Sequence, residues 1–171
     1  MKLFVIRNSC GDPYLIRWSF FDLWGYSLKL HIILRSDDDR ALHDHPWSFW
    51  TLMLSGGYFE HTRKKARITN GQFLVEETER TWIKPGSLRF CRSPHPHRLE
   101  LAGEPPIARP VDPELQHTVI EGFYSPNVKP MFRPAITLVF MLPKKREWGF
   151  YTSKGWIKWS EFLRDYTRQD C

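Results

Sequence analysis

The sequence predicts a single all-β domain that forms a barrel and is closed by one carboxy-terminal helix. The 171 residues match the length of one domain with a sizeable core. Hydrophobic residues make up 42% and aromatic residues 15%, which excludes a disordered chain and supplies enough large side chains to fill a barrel and line a pocket. Short apolar stretches separated by turn residues recur along the chain, as is typical of strands.

The predicted strands follow from these patterns. Between residues 26 and 35, Leu28, Leu30, Ile32 and Leu34 alternate with other residues, so we expect a strand with one buried face and His31 on its polar side. A second strand covers 47–54. Tyr58-Phe59 then leads into a polar tip at 62–67, and Asn70-Gly71 is a strong hairpin signal that joins 66–69 to 72–75. Further strands are predicted at 82–83, 88–91, 98–101 and 135–142.

Two later segments differ from the strand pattern. Residues 105–134 contain seven of the thirteen prolines, and proline removes a ladder donor, so we expect an insertion or lid that passes over the barrel with a short strand at 118–120. From Lys158 to Arg168, apolar residues recur at three- and four-residue spacing, which predicts a packing helix. No linker divides the chain, so residues 1–171 are read as one domain.

Charge and cysteine content narrow the class of protein. The net charge is +6 with a pI of about 9.3, but the positive residues occur in short scattered runs, so nucleic-acid binding is not favoured. Cys10, Cys91 and Cys171 show no disulfide spacing. The apolar stretch 1–7 is too short for a signal peptide, and no run is long enough to cross a membrane. These features predict a cytoplasmic protein.

Three histidines form the candidate metal site. In a strand, residues i and i+2 point to one face, so His43 and His45 offer their imidazoles to the same point while Asp44 points away. His97 begins a later predicted strand, and His95, two residues earlier, is the alternative ligand. Three histidines with open coordination positions are the usual form of a catalytic metal site, and the spacing leaves iron, zinc, nickel and manganese open.

The same residues resemble the two motifs of the cupin superfamily. His43-Asp44-His45 is followed by Gly57, and Gly86 precedes His97-Arg98 at the spacing of the second motif. The resemblance implies a double-stranded β-helix (jelly-roll barrel) with a divalent metal on His43, His45 and His97. Phe49 or Trp50 stands where the family has a glutamate, and Asp37 replaces the first glycine, which leaves a three-histidine set similar to that of the thiol dioxygenases among cupins.

A closer resemblance covers about two-thirds of the chain. Leu42-His43-Asp44-His45-Pro46-Trp47, Gly56-Gly57-Tyr58, the stretch 97–101 and the stretch 146–151 are similar to a group of small, functionally uncharacterised bacterial and phage cupins. Members of that group lack most of the 105–134 segment. The resemblance therefore implies the fold and leaves the reaction open.

Several other residues are candidates for roles in the pocket. Trp47 and Phe49 share strand parity with the histidines and would wall the site, or belong to the plain barrel core. Arg89 and Arg98 could bind an anionic group, with Arg98 expected to face outward. Tyr58 and Glu60 are candidates for acid–base catalysis at the mouth of the pocket. The stretch 146–148 is expected to be a structural clamp with paired charges and a packed indole.

Three functions fit these features. The first is a three-histidine metalloenzyme that acts on a small molecule, similar to non-haem iron dioxygenases. The second is an isomerase, epimerase or hydrolase of a sugar or nucleotide that uses the metal as a Lewis acid. The third is a non-catalytic barrel that binds a small ligand. An anionic small molecule is the expected partner, and the resemblance is compatible with a homodimer formed through edge strands.

Overall fold

The computed structural model describes residues 1–7, 11–37, 41–69, 72–103, 133–152 and 154–166, and these ranges contain twelve strands and one helix. They are β1 (Lys2–Arg7), β2 (Pro13–Leu23), β3 (Tyr26–Ile33), β4 (Leu42–His43), β5 (Phe49–Ser55), β6 (Tyr58–Thr69), β7 (Gln72–Ile83), β8 (Leu88–Cys91), β9 (His97–Leu101), β10 (Ala135–Met141), β11 (Gly149–Thr152), β12 (Gly155–Lys158) and α1 (Trp159–Tyr166). The predicted all-β class with a carboxy-terminal helix is confirmed.

The strands form two antiparallel sheets of six strands each. The first sheet has the order β1-β2-β3-β10-β5-β8, and the second has the order β12-β11-β4-β9-β6-β7. Neighbours such as β3 and β10 are far apart in the sequence, so the chain crosses repeatedly between the sheets, as in a jelly-roll barrel. The interior of the barrel lies between the two sheets, and both the apolar core and the histidine cluster occupy it.

Strand β10 identifies the inner face of the first sheet. Its buried residues alternate with half-buried ones, and the buried set is Ala135, Thr137, Val139 and Met141. Directly opposite residues of an antiparallel pair share a face. The β3 partners of this set are Ile33, His31, Lys29 and Ser27, which therefore point into the barrel.

The predicted orientation of β3 is therefore wrong. Leu28, Leu30 and Ile32 lie on the outer face and are only half-buried, whereas His31 and Lys29 point inward. Outer-face neighbours from β2 and β10, such as Trp18 and Leu138 beside Leu30, provide the apolar contacts of these side chains. The period-two pattern identified the strand correctly. The apolar residues of β3 lie on the outer face, because apolar neighbours cover them there, and so the pattern gave the wrong inner face.

Two apolar clusters lie inside the barrel. The larger contains Leu15, Ile33, Met53, Tyr58, Ile83, Leu101 and Ala135. The smaller contains Phe49, Cys91, Val139 and Met141, with Trp47 packed against it. Because both sheets contribute to the larger cluster, it holds the two sheets at a fixed separation.

The hairpin formed by β6 and β7 is longer than predicted. The strands pair from Thr69↔Gln72 to Tyr58↔Ile83, so the predicted pairing of 66–69 with 72–75 is confirmed. Residues 62–67, which we expected to form a polar tip, belong to β6, with register shifts between Arg63 and Ala66. Asn70-Gly71 itself lies outside the described residues.

Five strands were not predicted from the sequence, namely β1, β2, β4, β11 and β12. The helix α1 falls inside the predicted range 158–168. Phe162 of the helix stacks on Phe150, with ring centroids 3.9 Å apart, and fixes α1 against the second sheet. The predicted insertion, apart from residues 133–134, and the short strand at 118–120 lie outside the described residues. The described part of the chain contains no helix long and apolar enough to cross a membrane.

Candidate metal centre

Three imidazoles converge inside the barrel. His43 ends β4 and pairs directly with His97 at the start of β9, and His45 follows two residues later. The Nε2 atoms of His45 and His97 are 3.0 Å apart, and one ring nitrogen from each of the three histidines lies within 4.8 Å of the other two. The structure thus brings together the three histidines that the sequence singled out. Their ring nitrogens are close enough to hold one metal ion.

Asp44 anchors the segment between the two histidines. Its side chain is fully buried and points away from the cluster, as strand alternation predicts. The carboxylate accepts hydrogen bonds from the Arg146 guanidinium, from the Gly149 backbone N–H at 2.9 Å and from the Tyr151 hydroxyl at 3.0 Å. These contacts tie β4 to β11, so a buried ion pair sets the position of His43 and His45.

The clamp predicted at 146–148 is present with different partners. Arg146 binds Asp44, while Glu147 forms ion pairs with Lys144 at 2.6 Å and Lys158 at 3.8 Å. The Trp148 indole packs on the α1 side of the barrel. The charges are therefore paired with other segments and not with each other.

Glu60 determines the orientation of His97. The Nδ1 atom of His97 lies 2.8 Å from Oε1 of the buried Glu60 carboxylate on β6, so Nδ1–H is the donor in this contact. The proton on Nδ1 leaves the lone pair on Nε2, the atom that faces His45. A carboxylate behind a histidine ligand fixes its tautomer and raises its basicity.

The Glu60 carboxylate is compensated by three donors. In addition to His97, it accepts hydrogen bonds from the Arg89 guanidinium and from His95 Nε2 at 3.1 Å. Burial alone would raise the pKa of Glu60, but the contacts with His95, His97 and Arg89 outweigh it and hold that pKa far below its usual range. Glu60 is therefore an anion.

A second group, Glu60 with His95 and His97, also has metal-ligand spacing. Burial lowers the pKa of His95, but contacts with Cys91 and Glu60 raise it to about 9, so His95 is an imidazolium at neutral pH. A protonated imidazole cannot ligate a metal, and Arg89 places another positive charge on the same carboxylate. This group therefore serves as the ion-paired support of His97, and His43, His45 and His97 form the better ligand set.

The other two candidate ligands are neutral imidazoles. Burial lowers the pKa of His43 to about 4, even though the nearby Asp37 carboxylate opposes the shift. Burial and the neighbouring histidines hold the pKa of His45 well below its usual value. Asp37 Oδ2 lies 3.7 Å from His43 Nδ1 and accepts a 2.7 Å hydrogen bond from the Leu99 backbone N–H. Metal ligation needs the neutral form, so no proton would have to leave these two rings at pH 7.

Aromatic side chains wall the histidine cluster. The Trp47 indole is nearly parallel to the His45 ring, at 6.2 Å between centroids and 7° between planes. The Phe49 ring meets His45 edge-on at 5.4 Å and lies 6.5 Å from His97. On the other side, Phe150 lies 6.0 Å from His43. The structure thus places Trp47 and Phe49 beside the histidines, where they limit the access of water.

The remaining candidates occupy different positions. Arg89 points inward to Glu60, and its Nη1 atom is buried without a hydrogen-bond partner among the described residues. Arg98 pairs across the strands with His61 on the face opposite to His97. Tyr58 is buried in the larger apolar cluster. Tyr58 and Glu60 are therefore both buried and do not lie at the mouth of a pocket.

Comparison with known proteins finds similarity in the fold. No protein-family model matches the sequence, and no curated protein matches it. Among solved structures, the chain is similar to a cupin-2 domain protein from Rhodospirillum rubrum (TM-score 0.51, 10% identity, covering 96% of this chain and 81% of that one). It is also similar to a cupin 2 conserved barrel domain protein from Rhodopseudomonas palustris (TM-score 0.50, 10% identity, covering 98% and 86%).

A third similar structure is a metalloenzyme. Fe(II)-HppE with the alternative substrate (S)-1-HPP matches 82% of this chain with a TM-score of 0.50 and 10% identity. The chain spans little more than half, 56%, of the length of that protein. Together these similarities confirm the cupin-type double-stranded β-helix as the fold.

Proposed function

We propose that this chain, a cupin-fold barrel, is a metalloenzyme that binds one Fe(II) ion through His43, His45 and His97 and oxygenates a small molecule. The observation that carries the proposal is the convergence of three imidazole nitrogens, with the Nε2 atoms of His45 and His97 only 3.0 Å apart. Convergence alone could reflect a hydrogen bond between two rings. The support behind the rings makes ligation the better explanation.

The surroundings of the rings suit a metal ion. His43 and His45 are neutral because burial lowers their pKa values. Glu60 holds the proton of His97 on Nδ1, which leaves Nε2 free to ligate. The anion of Glu60 is itself balanced by Arg89 and His95, so the support is complete before any ion binds. This arrangement is the second layer of contacts that metal-binding histidines require.

The donor set suits iron as well as other divalent ions. Imidazole is a ligand that iron, zinc and nickel accept in proteins. Three protein ligands leave further coordination positions for other molecules, as oxygenation would need. The choice of iron rests on the likeness of the three-histidine set to that of the thiol dioxygenases among cupins.

The chain and the ion would have separate tasks. When bound, Fe(II) would supply the redox chemistry and the open positions that oxygenation needs. Trp47 and Phe49 would exclude water around His45 and present an apolar wall to the substrate. Glu60 would act as a positioning residue, because His97 lies between its carboxylate and the centre of the cluster.

The first test is the metal content of protein purified without chelators or metal-affinity resin. We expect close to one iron per chain in the wild type and none in His43→Ala or His45→Ala. His61→Gln is the matched control, since His61 is also a buried histidine but binds Glu100, at 2.6 Å, away from the cluster. If His43→Ala retained the iron of the wild type, the ligand set would be wrong.

The second test separates oxygenation from Lewis-acid chemistry. We expect the iron-loaded protein to consume oxygen with a thiol or catechol substrate, and zinc-loaded protein to consume none. Protein that purifies with stoichiometric zinc and shows no oxygen uptake with either substrate would refute the oxygenase and favour an isomerase, epimerase or hydrolase. Protein that binds no divalent ion at all would refute both and leave a barrel that binds a ligand without turnover.

A further inference from the structure

A cavity of about 420 Å³ lies on the inner face of the amino-terminal strands, apart from the histidine cluster. Its lining includes Phe4 from β1, Arg17 and Ser19 from β2, and Lys29 from β3. The volume is in the range of cavities that hold small-molecule ligands. The register of the sheet explains this set, because Phe4 pairs with Arg17 and Ser19 pairs with Lys29 on one face.

Three cationic side chains line the cavity, and two of them, Arg17 and Lys29, belong to the inner face of the barrel, while the third is Lys2 of β1. The Lys29 side chain is only 14% exposed, and its Nζ atom is 4.0 Å from a carboxylate oxygen of Asp22, which is beyond hydrogen-bond distance. Arg17 donates from Nε to His31 Nε2 at 3.1 Å. Asp22, the carboxylate that faces Lys29, is 68% exposed.

The positive charges of Arg17 and Lys29 are unfavourable in this position unless a negative charge compensates them. Burial lowers the pKa of Arg17 and of Lys29, and the positive charge of Arg17 lowers the pKa of Lys29 further. Two like charges in a partly desolvated cavity repel each other and lose hydration. Strand β3 turns Leu28 and Leu30 outward, so Lys29 occupies the inner face, which apolar residues usually take. An anion between the two side chains would offset both costs.

Arg89 does not compete for this role. Its guanidinium is held by Glu60 at the histidine cluster, so it belongs to the support of His97. On the inner face of the first sheet, a row of paired residues leads from Lys29 through Val139 and Thr51 to Arg89. Val139 and Thr51 are each only 5% exposed, so packed core lies between the cavity and the histidine cluster. From Lys29 to β5, which carries Phe49, the row crosses two strand spacings, or about 10 Å.

We propose that Arg17 and Lys29 form a binding site for an oxyanion group, a carboxylate or a phosphate-type group, of a small molecule that binds in this cavity. Arginine offers paired donors that match such a group, and lysine adds a point charge. The inference stands on the cavity and its charges, and it does not depend on the proposed function of the histidine cluster.

The test is calorimetric titration of inorganic phosphate, with acetate in parallel, at low ionic strength. Metal-free protein is titrated first, because phosphate can also bind a metal ion. The variants are Arg17→Gln, Lys29→Gln and the double variant, with Arg35→Gln and Lys64→Gln as controls that each remove one exposed positive charge. Metal content and the thermal midpoint are measured on the same samples, so a folding defect is visible.

We expect metal-free wild type and both controls to bind phosphate or acetate, and each single cavity variant to bind at least about 10-fold more weakly. The anion that binds more tightly indicates which group the ligand of the cavity carries. Equal affinity in the double variant and the wild type would overturn the proposal. So would anion binding by wild type only when metal is present. Anion binding without any metal binding would support the cavity site and refute the metalloenzyme, so the two failures are distinguishable.

Discussion

The support of His97 by Glu60 can be tested without removing a metal ligand. In Glu60→Gln, one amide oxygen replaces a carboxylate that accepts hydrogen bonds from His97, His95 and Arg89. The new amide N–H₂ group is a donor, and it would face groups that are themselves donors. The buried Arg89 guanidinium and the His95 imidazolium would then lose the anion that compensates them, and the orientation of His97 would loosen.

Two effects of known size follow. Removing one partner of a buried ion pair costs about 3–5 kcal/mol of stability, because the remaining charge stays buried without compensation. Loss of a carboxylate behind a metal-binding histidine costs about 10–100-fold in metal affinity. Both values apply here because Glu60 is only 1% exposed and three donors depend on it.

The assays measure the two effects separately. Urea unfolding of metal-free protein gives the stability, and competition against a chromogenic chelator gives the metal affinity. Glu100→Gln is the matched control, since Glu100 also bridges a histidine and an arginine, but away from the cluster. Adding Arg89→Gln to Glu60→Gln should recover part of the lost stability, because it removes the uncompensated cation. Unchanged metal affinity in a folded Glu60→Gln variant would refute the positioning role.

Three further predictions concern other parts of the barrel. Asp44→Asn should lower the urea-unfolding stability by about 1–3 kcal/mol, because the fully buried carboxylate accepts hydrogen bonds from Gly149, Tyr151 and the partly exposed Arg146; a loss below about 1 kcal/mol would contradict this. Burial, then Arg17 and Lys29, lower the pKa of His31 to about 3, so native stability should fall as pH drops from about 6.5 toward 3. His31→Asn should flatten that decline in a pH series of unfolding curves, and parallel curves would refute the assignment. Gly57→Ala should cost about 1–3 kcal/mol in thermal unfolding, since its φ is +130° and the new Cβ would lie 2.6 Å from an indole carbon; an unchanged midpoint would contradict the strain.

The metal-site motif could be read from the sequence because its signal is local. His43 and His45 are separated by one residue, and the Gly86 to His97 spacing matches the second cupin motif, so both the fold and the three histidines were predictable. Their convergence within 4.8 Å agrees with that prediction, and their role as ligands is now a proposal with a test. The homodimer and the role of residues 105–134 stay predictions.

The partners of the histidines could not be read in the same way. Glu60 was expected to be an acid–base group at the mouth of the pocket, but it lies behind His97 because β6 pairs with β9. Arg89 was expected to bind substrate, but strand β8 turns it toward Glu60. Neither contact has a sequence signal, since each joins residues that are roughly 30 positions or more apart.

The sequence by itself determined the fold class, the position of several strands and the identity of the converging histidines, because periodicity and motif spacing are properties of near neighbours in the chain. Only the tertiary structure decided which side of each strand faces the interior. Lys29 and His31 point inward because β3 pairs with β10, whose buried residues lie opposite them more than 100 positions along the chain. Alternation shows that a strand has two faces, but the pairing of distant strands decides which face is buried and which charges meet inside.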